Sequence, residues 1–301
     1  MNFYEIEPEK NHFHTLLADV THKCQMSCAN CYIPNREIPD MDIDKLESFI
    51  KRLPHRTDIR LIGAEATLRK DLPDIIYMLR QNGHRPTLLT NGLKLASENY
   101  CKTLWNYGLR SLGISMNGGD KDDIYDLIDK GRYAKKKVQA LENLIKLGFL
   151  VHINCILIPK LNEDIPLRLL KLIEKFCLKY QKTSGNYYPL MLRFKNVGQI
   201  GRYMKEPQSF EIDKMLKLLF KTFDINESQV KIKNEIDGFS ECKSYFFSIP
   251  SQVGKIFVKV TDWRVDDDGV PDAGSKRRGR ITQNFKIAPF FEHVKRNEYG
   301  Y

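Results

Sequence analysis

The sequence contains no apolar run near the length of a membrane-spanning helix. Such a helix needs about 20 predominantly apolar residues, and every stretch of that length in these 301 residues carries charged side chains. The first ten residues are polar and acidic, whereas a secretory signal begins with basic residues and an apolar segment. We therefore expect a soluble, cytoplasmic protein without a membrane partner.

The cysteines do not form a disulfide framework. There are seven, an odd number, and the last four, at Cys101, Cys155, Cys177 and Cys242, share no spacing. Disulfide-rich domains are typically short and secreted, and they contain an even number of cysteines. We expect the protein to reside in a reducing compartment. Cys101, Cys155 and Cys177 lie in apolar surroundings, and we expect them to be buried free thiols.

The net positive charge of the chain favours anionic partners but does not identify them. The chain has 48 Lys and Arg against 38 Asp and Glu, a formal charge of +10. Because the excess is spread along the chain, a solvated basic surface explains it equally well. The basic run Lys276–Arg280 lies near three aspartates, so we interpret it as a solvated loop rather than a nucleic-acid patch.

Strand-like and helix-like segments alternate six times between about residues 14 and 223. Apolar residues at helical spacing follow each strand candidate, and parallel strands need such crossover connections. The alternation predicts an α/β core over residues 1–230, with a parallel sheet and helices outside it, and a C-terminal extension of strands and loops over 231–301. The strand candidates are Leu16–Val20, Ile59–Ile62, Thr87–Thr90, Ser111–Ser115, Val151–Ile158 and Leu190–Phe194.

Three cysteines follow the first strand in a C-x3-C-x2-C spacing. Cys24, Cys28 and Cys31 lie in one short loop that can turn three thiolates toward a metal cluster. Zinc also accepts thiolates but normally has four protein ligands. His22 would have to be the fourth, and its position two residues before Cys24 makes a cramped chelate. A zinc or iron–sulfur accessory protein that binds RNA is the alternative from another functional class.

Polar and glycine residues follow the next three strands as well. In a parallel barrel these loops meet at one edge, where active sites form. Glycine lets the backbone approach a ligand, and carboxylate, amide and hydroxyl groups can hold its polar atoms. The segments are Gly63-Ala-Glu-Ala-Thr67, Thr90-Asn-Gly92 and Ser115-Met-Asn-Gly118.

Together these four loops resemble those of the radical S-adenosylmethionine (SAM) superfamily. The resemblance covers roughly residues 14–200 and implies a partial (β/α)6 barrel. It further implies that Cys24, Cys28 and Cys31 bind three irons of a [4Fe-4S] cluster and that SAM chelates the fourth. Reductive cleavage of SAM would then give a 5′-deoxyadenosyl radical that abstracts hydrogen from a substrate, with flavodoxin or ferredoxin as electron donor.

The resemblance also implies residues that bind SAM. Glu65 occupies the position that receives the methionine amine, and Gly63 and Ala64 would offer backbone groups; Ala64 stands where the family usually has a second glycine. The other residues of this implied site are Asn91 and Ser115 for the ribose and carboxylate, Asn117 beside them, Asn30 near the adenine, and Lys130, with Arg132 close by, for the carboxylate.

Two later strands resemble the branch that contains the molybdenum-cofactor GTP cyclase and peptide-modifying enzymes. Asn154 and Arg193 would then contact the substrate, although Arg193 could instead pair with a neighbouring carboxylate. Peptide-modifying relatives often carry extra cluster-binding cysteines and a leader-binding domain. Only Cys242 lies beyond residue 200, and 23 residues precede Cys24. We therefore favour a small, anionic substrate over a peptide; the net reaction stays open.

Overall fold

The computed structural model describes residues 5–29, 31, 33, 36–185, 190–197, 209–229, 244–262 and 278–289. The strands in these ranges are β1 Thr15–Thr21, β2 Asp58–Gly63, β3 Arg85–Thr90, β4 Ser111–Ser115, β5 Leu150–Ile156, β6 Met191–Lys195, β7 Ser244–Ser251, β8 Gly254–Thr261, β9 Arg278–Ile281 and β10 Ile287–Pro289. The α-helices are α1 Ile43–Lys51, α2 Leu72–Gln81, α3 Glu98–Asn106, α4 Asp122–Ile128, α5 Ala134–Leu147, α6 Ile165–Lys179 and α7 Ile212–Phe223.

The ten described strands form one open sheet in the order β10-β9-β1-β2-β3-β4-β5-β6-β8-β7. Strands β1 to β6 pair in parallel in chain order. Strand β9 lies parallel to β1, and β8 lies parallel to β6. The outermost strands, β10 and β7, are antiparallel to their neighbours. The carboxyl ends of β1 to β6 therefore meet at one edge, which is where the polar loops lie.

Each strand turns alternate residues toward the helices. In β5, for example, Val151, Ile153 and Cys155 are buried in the apolar core, while His152 and Asn154 between them are half-buried on the opposite side. We call this opposite side of the sheet the inner face. Period-two alternation of this kind follows from the pleat of a strand. The inner face is the surface on which a substrate can lie beneath the carboxyl-end loops.

One C-terminal segment differs from its predicted form. The prediction of a solvated loop is wrong for residues 278–280, because they form the start of β9 against β1. The Arg280 side chain is only 2% exposed and forms an ion pair with Asp19 of β1. Residues 276–277 and the neighbouring aspartates lie outside the described residues, and the boundary at residue 231 stays a prediction.

None of the helices in the described ranges is long and apolar enough to cross a membrane.

Candidate active site

The cysteine loop lies between β1 and α1, at the carboxyl edge of the sheet. Cys24, Cys28 and Cys31 are half-buried free thiols. Burial raises the pKa of Cys24 and of Cys28, and the Asp129 carboxylate raises the pKa of Cys28 further. Thiols in such surroundings ionise readily only when positive charge is placed beside them, as metal binding does.

The donor set fits an iron–sulfur cluster. A [4Fe-4S] cluster takes one thiolate per iron, so three thiols hold three of its irons, whereas a structural zinc ion normally has four protein ligands. The sulfurs of the cluster also accept hydrogen bonds, and the Met26 backbone N–H already donates to the Cys24 Sγ at 3.3 Å.

The turn after β2 is locked against the end of β1. Gly63 has a φ of +131°, and a Cβ built on it would lie 2.0 Å from the Thr21 carbonyl oxygen. The next residue, Ala64, donates its N–H to that same oxygen at 2.9 Å. Only glycine permits this close approach. The predicted SAM-binding turn therefore sits directly beside the start of the cysteine loop.

Glu65 joins the turn after β2 to the loop after β3. Its side chain is buried, and its Oε1 accepts hydrogen bonds from the Thr67 N–H at 3.1 Å and from the hydroxyls of Thr67 and Thr90, both at 2.6 Å. Its Oε2 accepts one hydrogen bond, from the Asn91 N–H at 2.7 Å. Each carboxylate oxygen offers about two acceptor positions, so Oε2, with one donor, keeps capacity for one further donor such as an amine.

Asn91 connects the third strand to the cysteine loop. Its Nδ2 donates to the Cys24 Sγ at 3.8 Å, and its Oδ1 accepts from the Gln25 Nε2 at 3.4 Å and from the Leu93 N–H at 3.0 Å. Together with Glu65 it forms a continuous chain of contacts from β2 to the first cysteine. The structure thus brings three of the predicted site residues together.

A buried polar group lies beneath the loop after β4. Lys137 of α5 is fully buried, donates from Nζ to the Ser115 carbonyl at 2.8 Å and lies 3.5 Å from the Asp129 carboxylate. Asn117 donates to the same carboxylate at 3.0 Å and accepts from the Ile156 N–H at 3.0 Å. Asn117 is therefore committed to protein partners, and its neighbour Ser115 is held from below.

The predicted carboxylate-binding cations are exposed, and their role stays a prediction. Lys130 has a φ of +58°, and Arg132 has a 73% exposed side chain that pairs with Asp122 and Asp126. A buried cation beside Ser115 is Lys137, which sits in a lysine run typical of a solvated helix face. Helical spacing could have identified it, because Lys137 shares a face with Ala140, Leu141 and Leu144, three buried apolar residues.

The substrate candidates lie on the inner face. Asn154 pairs in register with Arg193 across β5 and β6, and donates to the His152 carbonyl at 3.1 Å. Burial lowers the pKa of His152 to about 3, and the charges of Arg193, Arg60, Lys259 and Arg85 lower it in turn. Several cations therefore act on the inner face at His152. Asn30, predicted to lie near the adenine, is outside the described residues.

Comparison with curated proteins finds relatives of several named activities. They include 7,8-dihydro-6-hydroxymethylpterin dimethyltransferase of Methanocaldococcus jannaschii, 33% identical over 45% of this chain and 28% of that protein. GTP 3′,8-cyclase of Tolumonas auensis is 28% identical over 62% of each chain. The enzyme of that name from Staphylococcus saprophyticus is 24% identical over 84% of this chain and 76% of its own. The chain spans between 28% and 62% of the first four relatives.

Solved structures show the same fold. Streptococcus suis SuiB matches 94% of this chain and 61% of its own, with a TM-score of 0.61 and 12% identity. TYW1 with a lysine-pyruvate adduct matches 74% of this chain and 76% of its own, with a TM-score of 0.52 and 18% identity. At this identity the likeness concerns the fold alone, and it confirms the predicted partial barrel.

A comparison with protein families matches residues 19–173, just over half of the chain, to the Radical SAM superfamily. The matched segment runs from the end of β1 through most of α6, and so contains the cysteine loop and all three polar loops described above. The chain belongs to the radical SAM superfamily, whose enzymes use a [4Fe-4S] cluster and SAM.

Proposed function

We propose that this protein is a radical SAM enzyme that abstracts hydrogen from a small anionic substrate held on the inner face of the sheet. The observation that carries the choice of substrate is the set of cations around His152. Cys24, Cys28 and Cys31 would hold the cluster. The bound cluster and SAM supply one-electron cleavage of a sulfonium bond and a 5′-deoxyadenosyl radical.

The protein's own residues bind and orient SAM. Glu65 can accept a hydrogen bond from the methionine amine at Oε2, and an ionised carboxylate makes the stronger, charge-assisted form of that bond. Asn91 and Ser115 lie at the carboxyl ends of β3 and β4, the next two strands of the sheet after β2.

The inner face places like charges next to each other. Arg193 and Lys259 are directly paired in register across β6 and β8, and Lys195 lies one inner-face position closer to the carboxyl edge. Lys259 also lies over the Phe246 ring at 4.8 Å. An anionic group of a ligand can contact both Arg193 and Lys259, and Asn154, the register partner of Arg193, can orient it.

The named relatives agree with an anionic substrate. Four of the first five are named GTP 3′,8-cyclase or probable GTP 3′,8-cyclase, and GTP carries a charged triphosphate. This supports the charge of the substrate without identifying it, because the identity is low and the coverage partial. A neutral or peptide substrate is the competing outcome of the experiment below.

The experiment follows deuterium from labelled phosphorylated and carboxylated metabolites into 5′-deoxyadenosine. We expect Arg193→Gln to cleave SAM without substrate as the wild type does, but to lower deuterium transfer at limiting substrate by at least about tenfold, because a hydrogen bond to a charged group is lost. The two readouts separate substrate binding from SAM cleavage.

The matched control is Arg52→Gln. Arg52 directly follows α1, forms exposed ion pairs with Glu7 and Glu9, and does not belong to the set of cations around His152. This variant should transfer deuterium as the wild type does. Transfer from a neutral or peptide substrate that is unaffected by Arg193→Gln would overturn the proposed substrate class while leaving the superfamily chemistry intact.

A further inference from the structure

Arg36 contacts one of the three cysteines from outside the cysteine motif. Its Nη2 lies 3.1 Å from the Cys31 Sγ. Its Nη1 is buried and has no hydrogen-bond partner in the described part of the chain. The charge of Arg36 also acts on Cys24. One guanidinium therefore contacts Cys31 and acts on Cys24 through its charge.

The other cation of this loop points away from the thiols. Lys23 has a 65% exposed side chain and pairs with Asp40 at 3.1 Å. Arg36 is half-buried, and a buried donor left without an acceptor costs about 1–3 kcal/mol. Thiolate and sulfide sulfurs are acceptors that a bound cluster would bring within reach of Nη1. The placement of Arg36 thus fits a loop that carries negatively charged sulfur.

A positively charged hydrogen-bond donor at a cluster sulfur changes the reduction potential of the cluster. When the cluster accepts one electron from a low-potential donor, its negative charge increases by one and the donor is oxidised by one electron. The fixed charge and N–H groups of a guanidinium stabilise the reduced form more than the oxidised form. Hydrogen bonds to the sulfurs and net charge are known determinants of cluster potential.

We propose that Arg36 donates a hydrogen bond to the cluster-ligating thiolate of Cys31 and raises the reduction potential of the cluster. Arg36 is a positioning and tuning residue, because it acts through the cysteine ligand rather than on the substrate. The inference rests on the three cysteines holding the cluster, as proposed above. It does not depend on which substrate the enzyme uses.

The test is an EPR-monitored reductive titration of the anaerobically reconstituted protein without SAM or substrate. We expect Arg36→Met and Arg36→Gln to titrate at a more negative midpoint potential than the wild type, with Gln closer to it because an amide can still donate. Arg36→Lys keeps the charge but loses the planar fork, so its potential should fall less. Lys23→Gln is the control and should titrate as the wild type does.

Iron and sulfide content is measured first for every variant. A neutral variant that loads fully and titrates at the wild-type potential overturns the inference. If neither neutral variant incorporates a cluster, the Arg36→Lys variant is compared instead. A wild-type midpoint potential in Arg36→Lys then overturns the inference equally. Failure of the proposed function would look different, because deuterium transfer would fail or come from another substrate class while these potentials still shifted.

Discussion

Glu65 is a buried carboxylate that accepts four hydrogen bonds from two neighbouring loops. The donors are the N–H and hydroxyl of Thr67, the hydroxyl of Thr90 and the N–H of Asn91. The residue therefore has a structural task besides any contact with SAM. It fixes the relative position of the loops after β2 and β3, and with them the Asn91 side chain beside Cys24.

The substitution Glu65→Gln keeps the shape of the side chain but replaces one acceptor oxygen by a donor. We expect the free energy of unfolding of the reconstituted protein to fall by about 1–3 kcal/mol, because a buried donor then faces other donors. SAM binding should weaken as well, while the iron content stays unchanged. Denaturant unfolding and equilibrium dialysis of SAM measure the two effects.

The control for this substitution is Glu98→Gln. Glu98 lies on the exposed surface of α3, where hydrogen bonds from Lys102 and Lys146 lower its pKa to about 2. SAM binding should not change in this variant. Wild-type SAM affinity in Glu65→Gln would contradict the proposed role of Glu65 in the cofactor site.

At the scale of residues, motif residues were predictable and their partners were not. Cys24, Glu65 and Asn91 stand in recognisable local patterns, and the structure brings them together. Helical spacing could have indicated that Lys137 is buried but not that it contacts Ser115, and Arg36 contacts Cys31 only because the cysteine loop folds back on itself. Such contacts depend on tertiary packing, and no local pattern around Arg36 distinguishes it from a surface arginine.

Among the described elements, the turn after β2 contains the glycine with the shortest distance from a built Cβ to a neighbouring atom. A Cβ at Gly63 would lie 2.0 Å from the Thr21 carbonyl oxygen, and its φ of +131° is strained for any other residue. We expect Gly63→Ala to separate the ends of β1 and β2. The cysteine loop begins at that point, so iron incorporation after reconstitution should fall together with stability.

Gly83→Ala is the matched control. Gly83 also has a positive φ, of +81°, but a Cβ there would meet no atom within 4 Å. This variant should lose about 1 kcal/mol of stability from backbone conformation alone and incorporate iron normally. Equal iron content in both variants would contradict the link between the β2 turn and the cluster site.

The elements themselves were predictable where a clear period exists. The six strands and the apolar faces of their helices match the sequence pattern to within a few residues, since burial imposes the period. Helix α4 was not predicted, because it has only seven residues and three buried apolar positions. Strand β9 was not predicted either, because Arg280 belongs to a basic run in the sequence and such runs are usually exposed. The ion pair of Arg280 with Asp19 makes its burial possible.

On the scale of the whole molecule, the sheet is extended at both edges by strands distant in sequence. Strand β8 joins β6, and β9 joins β1, across long intervals of chain. Alternating strands and helices predicted the six parallel strands in the middle. They could not predict these edge pairings, which depend on non-local contacts. The pairing of β8 with β6 bears on the proposed substrate site, because it brings Lys259 onto the inner face beside Arg193.

The central claim is that the three cysteines hold a cluster that drives reductive cleavage of SAM. The most direct measurement is formation of 5′-deoxyadenosine from SAM by the anaerobically reconstituted protein under a strong reductant. The wild type should form it, and Cys28→Ala should not. Cys101→Ala is the control, because burial raises the pKa of that core thiol to about 12 and it lies outside the loop; it should cleave SAM normally. Cleavage by Cys28→Ala at the wild-type rate would contradict the claim.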